Sequence, residues 1–431
     1  MRVKVSLLTF VFLLSVSVRI ASAYELSESL AIKAASKNSV ATVPAIEELR
    51  LRGPAGMQAL MLQYRDEIDR RIANPTLPAT AEWRRITAAL DAVSQQRNSY
   101  LSGLYWYTDI NQAREVSKQT GKPILSLRLL GKLTDELSCA NSRFFRTVLY
   151  SNETVSAKLR EHFVLHWQSF SSVPLITIDF GDGRKLQRTI TGNSIHYVLD
   201  SDGRVVEAIP GLYGPQTFLR VLSDSETLVN SLRGKSIAEK QILLADYYKT
   251  RINKISLAWL DDVTKVGKKP KDILIQIDEK GTAIGIASLA VTKMVAELPA
   301  LRAMNAGAEA LGRIMDEPTW LQIANLHRSE AELDDRSIGL MKKQNPDMSE
   351  DDFAGLKVTF QTSLAMDTVR NEYRMHTRLL SWLSQEQWRN DVDKLNDKVY
   401  AEMFFTPKSD PWFGLLVPGA YNAIDNGGVV K

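Results

Sequence analysis

The cysteine at position 139 is the only thiol in the chain, and its surroundings are typical of a reactive one. An apolar run of strand formers, 122–127, precedes Cys139, and apolar residues at helical spacing, 144–149, follow it. Cys139 is therefore predicted to lie in the first turn of a helix that follows a strand. A thiol in this position is close to the positive end of the helix macrodipole, which favours the nucleophilic thiolate.

Four neighbours of Cys139 complete the candidate site. Ser138, Asn141 and Ser142 are predicted to supply hydrogen-bond donors at the helix start, and Arg143 to act as an electrostatic helper of the thiolate. The alternative is that Cys139 is a small buried apolar residue, which is the commonest fate of a free cysteine.

The histidines offer possible base partners for the thiol. His166 lies on the predicted strand after the cysteine helix, and His196 opens a predicted hairpin; a structural role on the strand is the alternative for both. The chain has five histidines without spacing suited to zinc and a single cysteine, so no metal site is predicted. We find no phosphate loop, dinucleotide fingerprint or nucleophile elbow, and therefore predict no cofactor.

The first 23 residues have the pattern of a secretory signal peptide. Arg2 and Lys4 precede an apolar run, 7–18, and Ala21-Ser22-Ala23 supplies small residues at the cleavage position. The run is shorter than the ~20 apolar residues that a membrane-spanning helix needs, which favours a cleaved signal peptide. No membrane span is expected in the chain that remains after cleavage. Export to a periplasm or to the cell exterior is predicted. An unpaired cysteine there indicates intermolecular pairing, a reactive thiol or burial.

Composition excludes some classes of partner. The 431 residues are 44% hydrophobic and 24% charged, with a formal net charge of +4, as in an ordinary globular protein of two or three domains. Because the basic residues form no stripe with aromatic residues between them, no nucleic-acid binding is predicted.

Periodicity divides the rest of the chain. Helical spacing predicts a helical region over 24–103 and an α-helical domain over 223–405. The Pro- and Gly-rich composition of 406–431 predicts a C-terminal arm. Between them, 104–222 alternates helices and strands. It includes a helix capped by Asp109 or Thr108, a hairpin joined by 200–203 and a final helix over 215–222. We therefore predict an α/β domain with a mixed central sheet flanked by helices.

This order of elements resembles the thioredoxin-like superfamily. Trp106-Tyr107-Thr108-Asp109 and Gly121-Lys122-Pro123-Ile124-Leu125 are similar to the segments that open many exported thioredoxin-like domains, and 199–206 is similar to the hairpin that closes their sheet. Ser138-Cys139-Ala140-Asn141-Ser142, with 146–149 and 163–167, resembles the thioredoxin-like segment of the selenoprotein N family. The resemblance covers 104–222, under a third of the chain.

The chain departs from these families at the residues that carry their chemistry. Ser142 occupies the position of the resolving cysteine, Ala140 that of the selenocysteine, and Ser194 or Ile195 that of the cis-proline. The resemblance therefore implies at most monothiol chemistry, in which Cys139 attacks a disulfide or is oxidised to a sulfenic acid and a second molecule resolves it.

Two functions follow from these observations. The first is an exported thioredoxin-like redox protein that performs monothiol thiol-disulfide exchange with a protein partner through Cys139. The second is a non-catalytic thioredoxin-fold binding or scaffold protein of the cell envelope, with the helical domain as its docking surface. An exposed thiol favours the first function, and a buried thiol favours the second.

Overall fold

The computed structural model of the chain describes residues 27–190, 192–269, 292, 317–413 and 423–429. The predicted signal peptide, 1–23, lies outside the described residues. So does most of 270–316, in the middle of the predicted helical domain.

The described chain begins with five helices, whereas the periodicity of 24–103 predicts a helical region of only two or three. Asn38 caps the second helix through its side chain, and Thr80 caps the fifth. The predicted stripe of Trp83, Ile86, Leu90 and Val93 is buried. The helices are α1 (27–34), α2 (Ser39–Leu51), α3 (Pro54–Gln63), α4 (Arg65–Ala73) and α5 (Ala81–Ser94).

Seven strands follow in the next part of the chain. They are β1 (Trp106–Tyr107), β2 (Ile124–Leu130), β3 (Val164–Ser171), β4 (Leu175–Asp179), β5 (Lys185–Thr189), β6 (Ser194–Leu199) and β7 (Val205–Pro210). Five of them form a mixed sheet in the order β1-β3-β2-β6-β7. β1 and β2 run parallel to β3, whereas β6 is antiparallel to both β2 and β7. The prediction of a mixed sheet flanked by helices is confirmed.

Helices connect these strands where the sequence predicts them. They are α6 (Ile110–Thr120), α7 (Ala140–Phe144), which continues as a π turn (Phe145–Leu149), and α8 (Glu153–His162). The side chain of Asp109 caps α6, and Gly121 ends it with a φ of 73°. The next helix, α9 (Pro215–Leu232), is ten residues longer than the predicted 215–222, because its buried apolar stripe continues through Leu228, Val229 and Leu232.

The two faces of the sheet are covered by different parts of the chain. On one face, the ring of His196 lies 4.6 Å from that of Phe145 and 5.2 Å from that of Phe218 in α9. On the other face, Arg128 and Tyr197 bond to residues of a C-terminal helix described below. The connection from β3 to β6 consists of the hairpin β4–β5, a separate two-stranded sheet.

The C-terminal part is helical in the described residues, as predicted. A capping box of Ser236 and Glu239 starts its first helix. The helices are α10 (Ile237–Lys265), α11 (Glu317–Leu326), α12 (Asp335–Gln344), α13 (Glu350–Arg370), α14 (Thr377–Leu383) and α15 (Val392–Lys398). A π turn (Asn371–His376) joins α13 to α14, and another (Val399–Met403) follows α15. Asp393 and Asn396 of α15 are the partners of Arg128 and Tyr197, so α15 closes the second face of the sheet.

Candidate functional site

Cys139 lies between the end of β2 and the start of α7, as the sequence predicts. It is the residue before the helix, with extended backbone angles, and its carbonyl accepts the first helical hydrogen bond from Arg143 at 3.1 Å. Its backbone N–H donates to the carbonyl of Leu130 at 3.3 Å. Its solvent exposure is 0%, so the thiol is buried rather than presented to a partner.

The segment 192–194, which leads into β6, covers the thiol. The Sγ atom of Cys139 lies 3.0 Å from the hydroxyl oxygen of Ser194. Gly192 packs so closely that a Cβ atom added to it would lie 2.2 Å from the Cβ of Cys139. The hydroxyl of Tyr400 donates to the carbonyl of Asn193 at 2.9 Å, which connects segment 192–194 to the π turn after α15. Gly192 and Ser194 therefore both pack directly against Cys139.

The predicted serine donors are engaged with each other. The hydroxyl of Ser142 lies 2.7 Å from that of Ser138 and 2.8 Å from the carbonyl oxygen of Cys139. Asn141 is buried beside them, with 3% exposure. Arg143 donates from Nη2 to the hydroxyl oxygen of Thr189 at 2.9 Å, which connects the cysteine helix to the end of β5. These side chains brace the local structure around Cys139.

Arg146 has the same bracing role one turn further along. Its guanidinium donates to the carbonyl oxygens of Leu133 and Asp135 and to the hydroxyl of Ser138. Burial lowers the pKa of Arg146 to about 10, so the group stays cationic at neutral pH. The charge holds the loop between β2 and α7 to the helix.

The two candidate histidine bases have other partners. His166 shares a hydrogen bond of 2.9 Å with Ser126, and His196 shares one of 2.7 Å with the hydroxyl of Tyr150. Burial lowers the pKa of each imidazole to about 3, with a further contribution from Arg128 for His166. Both rings are therefore neutral and bonded to other side chains, and the side-chain hydroxyl next to Cys139 belongs to Ser194.

A second group of acidic and histidine side chains lies where β7 and α9 meet the C-terminal helices. We call this surface the junction. His327 donates from Nε2 to Asp262 at 2.6 Å and from Nδ1 to Glu330 at 2.8 Å. These two hydrogen bonds raise the pKa of His327 to about 9. We call Asp262, His327 and Glu330 the junction cluster. Its imidazole is a cation held between two carboxylates.

Neighbouring elements bond to both carboxylates of the junction cluster. Glu330 accepts from the hydroxyl of Thr217 and from Arg220 in α9, and Asp262 accepts from the hydroxyl of Tyr373. Burial alone raises the pKa of Glu330, but its bonds with His327 and Thr217 and the charge of Arg220 lower it to about 2. The cluster therefore joins α9, α10 and the π turn after α13 through charged hydrogen bonds.

A further hydrogen-bonded pair of the junction, between a histidine and a glutamate, is completely buried. His376 donates from Nε2 to Glu207 of β7 at 3.0 Å, and both side chains have 0% exposure. The hydroxyl of Tyr247 and the N–H of Ala208 also donate to this carboxylate. Burial alone raises the pKa of Glu207, but the charge and hydrogen bond of His376 lower it below its ordinary value.

No local sequence pattern marks the junction residues as a group. Asp262 and His327 are 65 positions apart, and Glu207 and His376 are 169 apart. The only local signal is the three-residue spacing of His327 and Glu330, which is common in any helical turn.

The described part of the chain contains neither a cluster of metal-binding side chains nor a helix suited to crossing a membrane. In this part, no group of three or more His, Cys, Asp and Glu side chains has an arrangement that could hold a metal ion. None of the described helices combines the length and the apolar character that crossing a membrane requires.

Comparison with known proteins gives no relative from which a role for these residues could be transferred. No protein-family model matches the chain, and no curated protein or solved structure is detectably similar to it.

Proposed function

We propose that this chain is a non-catalytic binding or scaffold protein whose segment 104–222 is a thioredoxin-like domain. The observation that supports this function best is the burial of Cys139 under 192–194. Thiol-disulfide exchange requires a partner sulfur to approach the thiolate in line, which this cover prevents. The hydroxyls of Ser138 and Ser142 are likewise engaged within the protein.

The thioredoxin-like assignment is supported by the sheet. The order β1-β3-β2-β6-β7, with three parallel strands followed by an antiparallel hairpin, is the order expected for such a domain. The position of Cys139 before α7, opposite the segment that enters β6, agrees with it as well. The hairpin β4–β5 and the covering helix α15 are the features in which this chain would differ from a minimal thioredoxin-like domain.

The scaffold role includes the C-terminal helices and an exported location. Ion pairs fix these helices to β7 and α9, so the two parts would present one continuous surface to a protein partner. The location, a periplasm or the cell exterior, is inferred from the signal-peptide pattern of 1–23.

Monothiol exchange is the second candidate, and the site of Cys139 before a helix favours it. In this reaction the Cys139 thiolate would attack a disulfide of the partner, form a mixed disulfide and release the other sulfur as a thiolate. Segment 192–194 would first have to move away from the sulfur.

Alkylation of Cys139 by iodoacetamide separates the two functions. We would follow labelling of the folded chain lacking 1–23 from about pH 4 to about pH 10, with Cys139→Ser as the blank. The scaffold function predicts no labelling in native buffer and one label per chain in denaturant. Fast native labelling, half-maximal well below about pH 8.5, the value for a free thiol, would instead establish an accessible, activated thiolate.

A further inference from the structure

A cavity of about 270 Å³ opens at the junction, next to the junction cluster. Residues of α9, α10, α13 and the π turn after α13 line it, together with His327 and Glu330. Its size is close to the lower end of the range for small-molecule sites, about 300–1,000 Å³. None of the residues singled out around Cys139 lines it, so the cavity is independent of the thiol.

The lining of the cavity carries more cations than carboxylates, while Asp262 and Asp224 outside the lining pair with His327 and Arg251. Arg220, Arg251 and Lys254 contribute positive charges, and the protonated His327 adds another, whereas Glu330 and Glu372 contribute the two negative ones. Lys254 is exposed and has no ion pair or side-chain hydrogen bond within the described residues. Arg220 uses Nη1 for Glu330, and its side chain remains 48% exposed. Both side chains can therefore donate to a ligand.

The inner wall of the cavity is an incompletely satisfied ion pair. Arg251 donates from Nη2 to Glu372 at 3.2 Å and from Nη1 to Asp224 at 3.1 Å. In the described part of the chain, the buried Nε of Arg251 and Oε2 of Glu372 have no hydrogen-bond partner. Buried polar groups are normally paired, so this wall retains one unused donor on Arg251 and one unused acceptor on Glu372.

We propose that this cavity binds a small organic oxyanion that carries at least two negative charges. Lys254 and Arg220 would donate to its carboxylate or phosphate oxygens, and Arg251 would supply positive charge from the inner wall. The carboxylates of Glu330 and Glu372 hold the arginines in position, so the ligand meets cations whose side chains are already ordered. This site is distinct from the proposed protein-binding role and does not depend on it.

Calorimetric titration of the full chain with citrate and with inorganic phosphate, at constant ionic strength, tests the site. We expect saturable binding of at least one probe with a Kd below about 1 mM. Lys254→Met should weaken this binding about tenfold, the effect of one charge-assisted hydrogen bond. Lys249→Met, which removes an exposed lysine of the same helix outside the cavity, should change it by less than about twofold.

Three outcomes would overturn the proposal. One is the absence of saturable binding of both probes up to about 10 mM. Another is an equal loss in the two lysine variants, because this would indicate diffuse attraction to a basic surface. The third is binding that Lys254→Met and a second cavity variant, Arg220→Gln, both leave unchanged. Selective binding of citrate would assign the site to carboxylates, and selective binding of phosphate would assign it to phosphorylated compounds.

Discussion

The region around Cys139 and the junction differ in how their polar groups are paired. The thiol itself contacts a neutral group, the hydroxyl of Ser194, although the cationic Arg146 lies close by and donates to Ser138. At the junction, acidic side chains bond directly to histidines, as in the junction cluster and the pair of Glu207 and His376. A neutral thiol can be buried at small cost, whereas buried charges require partners from every element packed against them. Thus the thiol of the recognisable motif is buried beside a neutral group, whereas the acid–histidine pairs of the junction have no sequence motif.

The largest difference between the two regions is expected from breaking the buried pair. His376→Leu leaves the carboxylate of Glu207 buried without its histidine partner, and removing one member of a buried pair typically costs about 3–5 kcal/mol of unfolding free energy. Urea unfolding of the variant and the natural chain measures this loss. The double variant Glu207→Leu/His376→Leu is the control, because replacing both partners by apolar groups should restore much of the stability. If the double variant is as unstable as the single one, packing rather than charge accounts for the loss.

The junction cluster should add a stabilisation that disappears at alkaline pH. The pKa of His327 is raised from 6.5 to about 9, which corresponds to about 3 kcal/mol. Because the folded-state pKa is the higher one, this contribution is complete below pH 6.5 and is lost as the pH rises through 9. His327→Gln should therefore be less stable than the natural chain by about 3 kcal/mol at about pH 6 and by much less at about pH 9.5.

The histidines of the sheet provide the contrast for this measurement. The pKa values of His166 and His196 are lowered from 6.5 to about 3. Their contribution to the free energy of unfolding is therefore fully present above pH 6.5 and is lost as the pH falls towards 3. His327→Gln should leave this acid loss unchanged, since the sheet histidines do not contact the junction cluster. A stability difference between the two chains that stays constant from about pH 6 to about pH 9.5 would contradict a charged His327.

A substitution at Gly192 tests how tightly the cover fits over the thiol. Gly192→Ala would bring the new Cβ to 2.2 Å from the Cβ of Cys139, so the cover must shift, at a cost of about 1–3 kcal/mol or more. Gly355→Ala in α13 is the matched control, because a Cβ there meets nothing within 4 Å. It should stabilise the helix by about 0.5–1 kcal/mol. Equal changes in the free energy of unfolding of the two variants would show that segment 192–194 can shift at little cost.

How much the sequence predicts depends on how local the signal is. The strand before Cys139, the helix after it, the cap at Asp109 and the stop at Gly121 depend on neighbouring residues, and the structure confirms them. The burial of Cys139 depends on Gly192 and Ser194, more than 50 positions away, and no local pattern marks a glycine as a cover. The junction cluster combines side chains from segments still further apart. Such contacts follow from tertiary packing, which periodicity does not specify.

The smallest expected effect concerns the contact between Cys139 and Ser194. Sulfur is a weak hydrogen-bonding group, so Ser194→Ala should cost only about 0.5–1 kcal/mol, less than any change at the junction. Alkylation of the folded variant should remain blocked, because Cys139 is fully buried and Gly192 still packs against it. If the hydroxyl instead served to stabilise a thiolate, the natural chain would label readily and the variant would label more slowly at neutral pH. The comparison therefore distinguishes a hydroxyl that fills space beside a buried thiol from one that assists its chemistry.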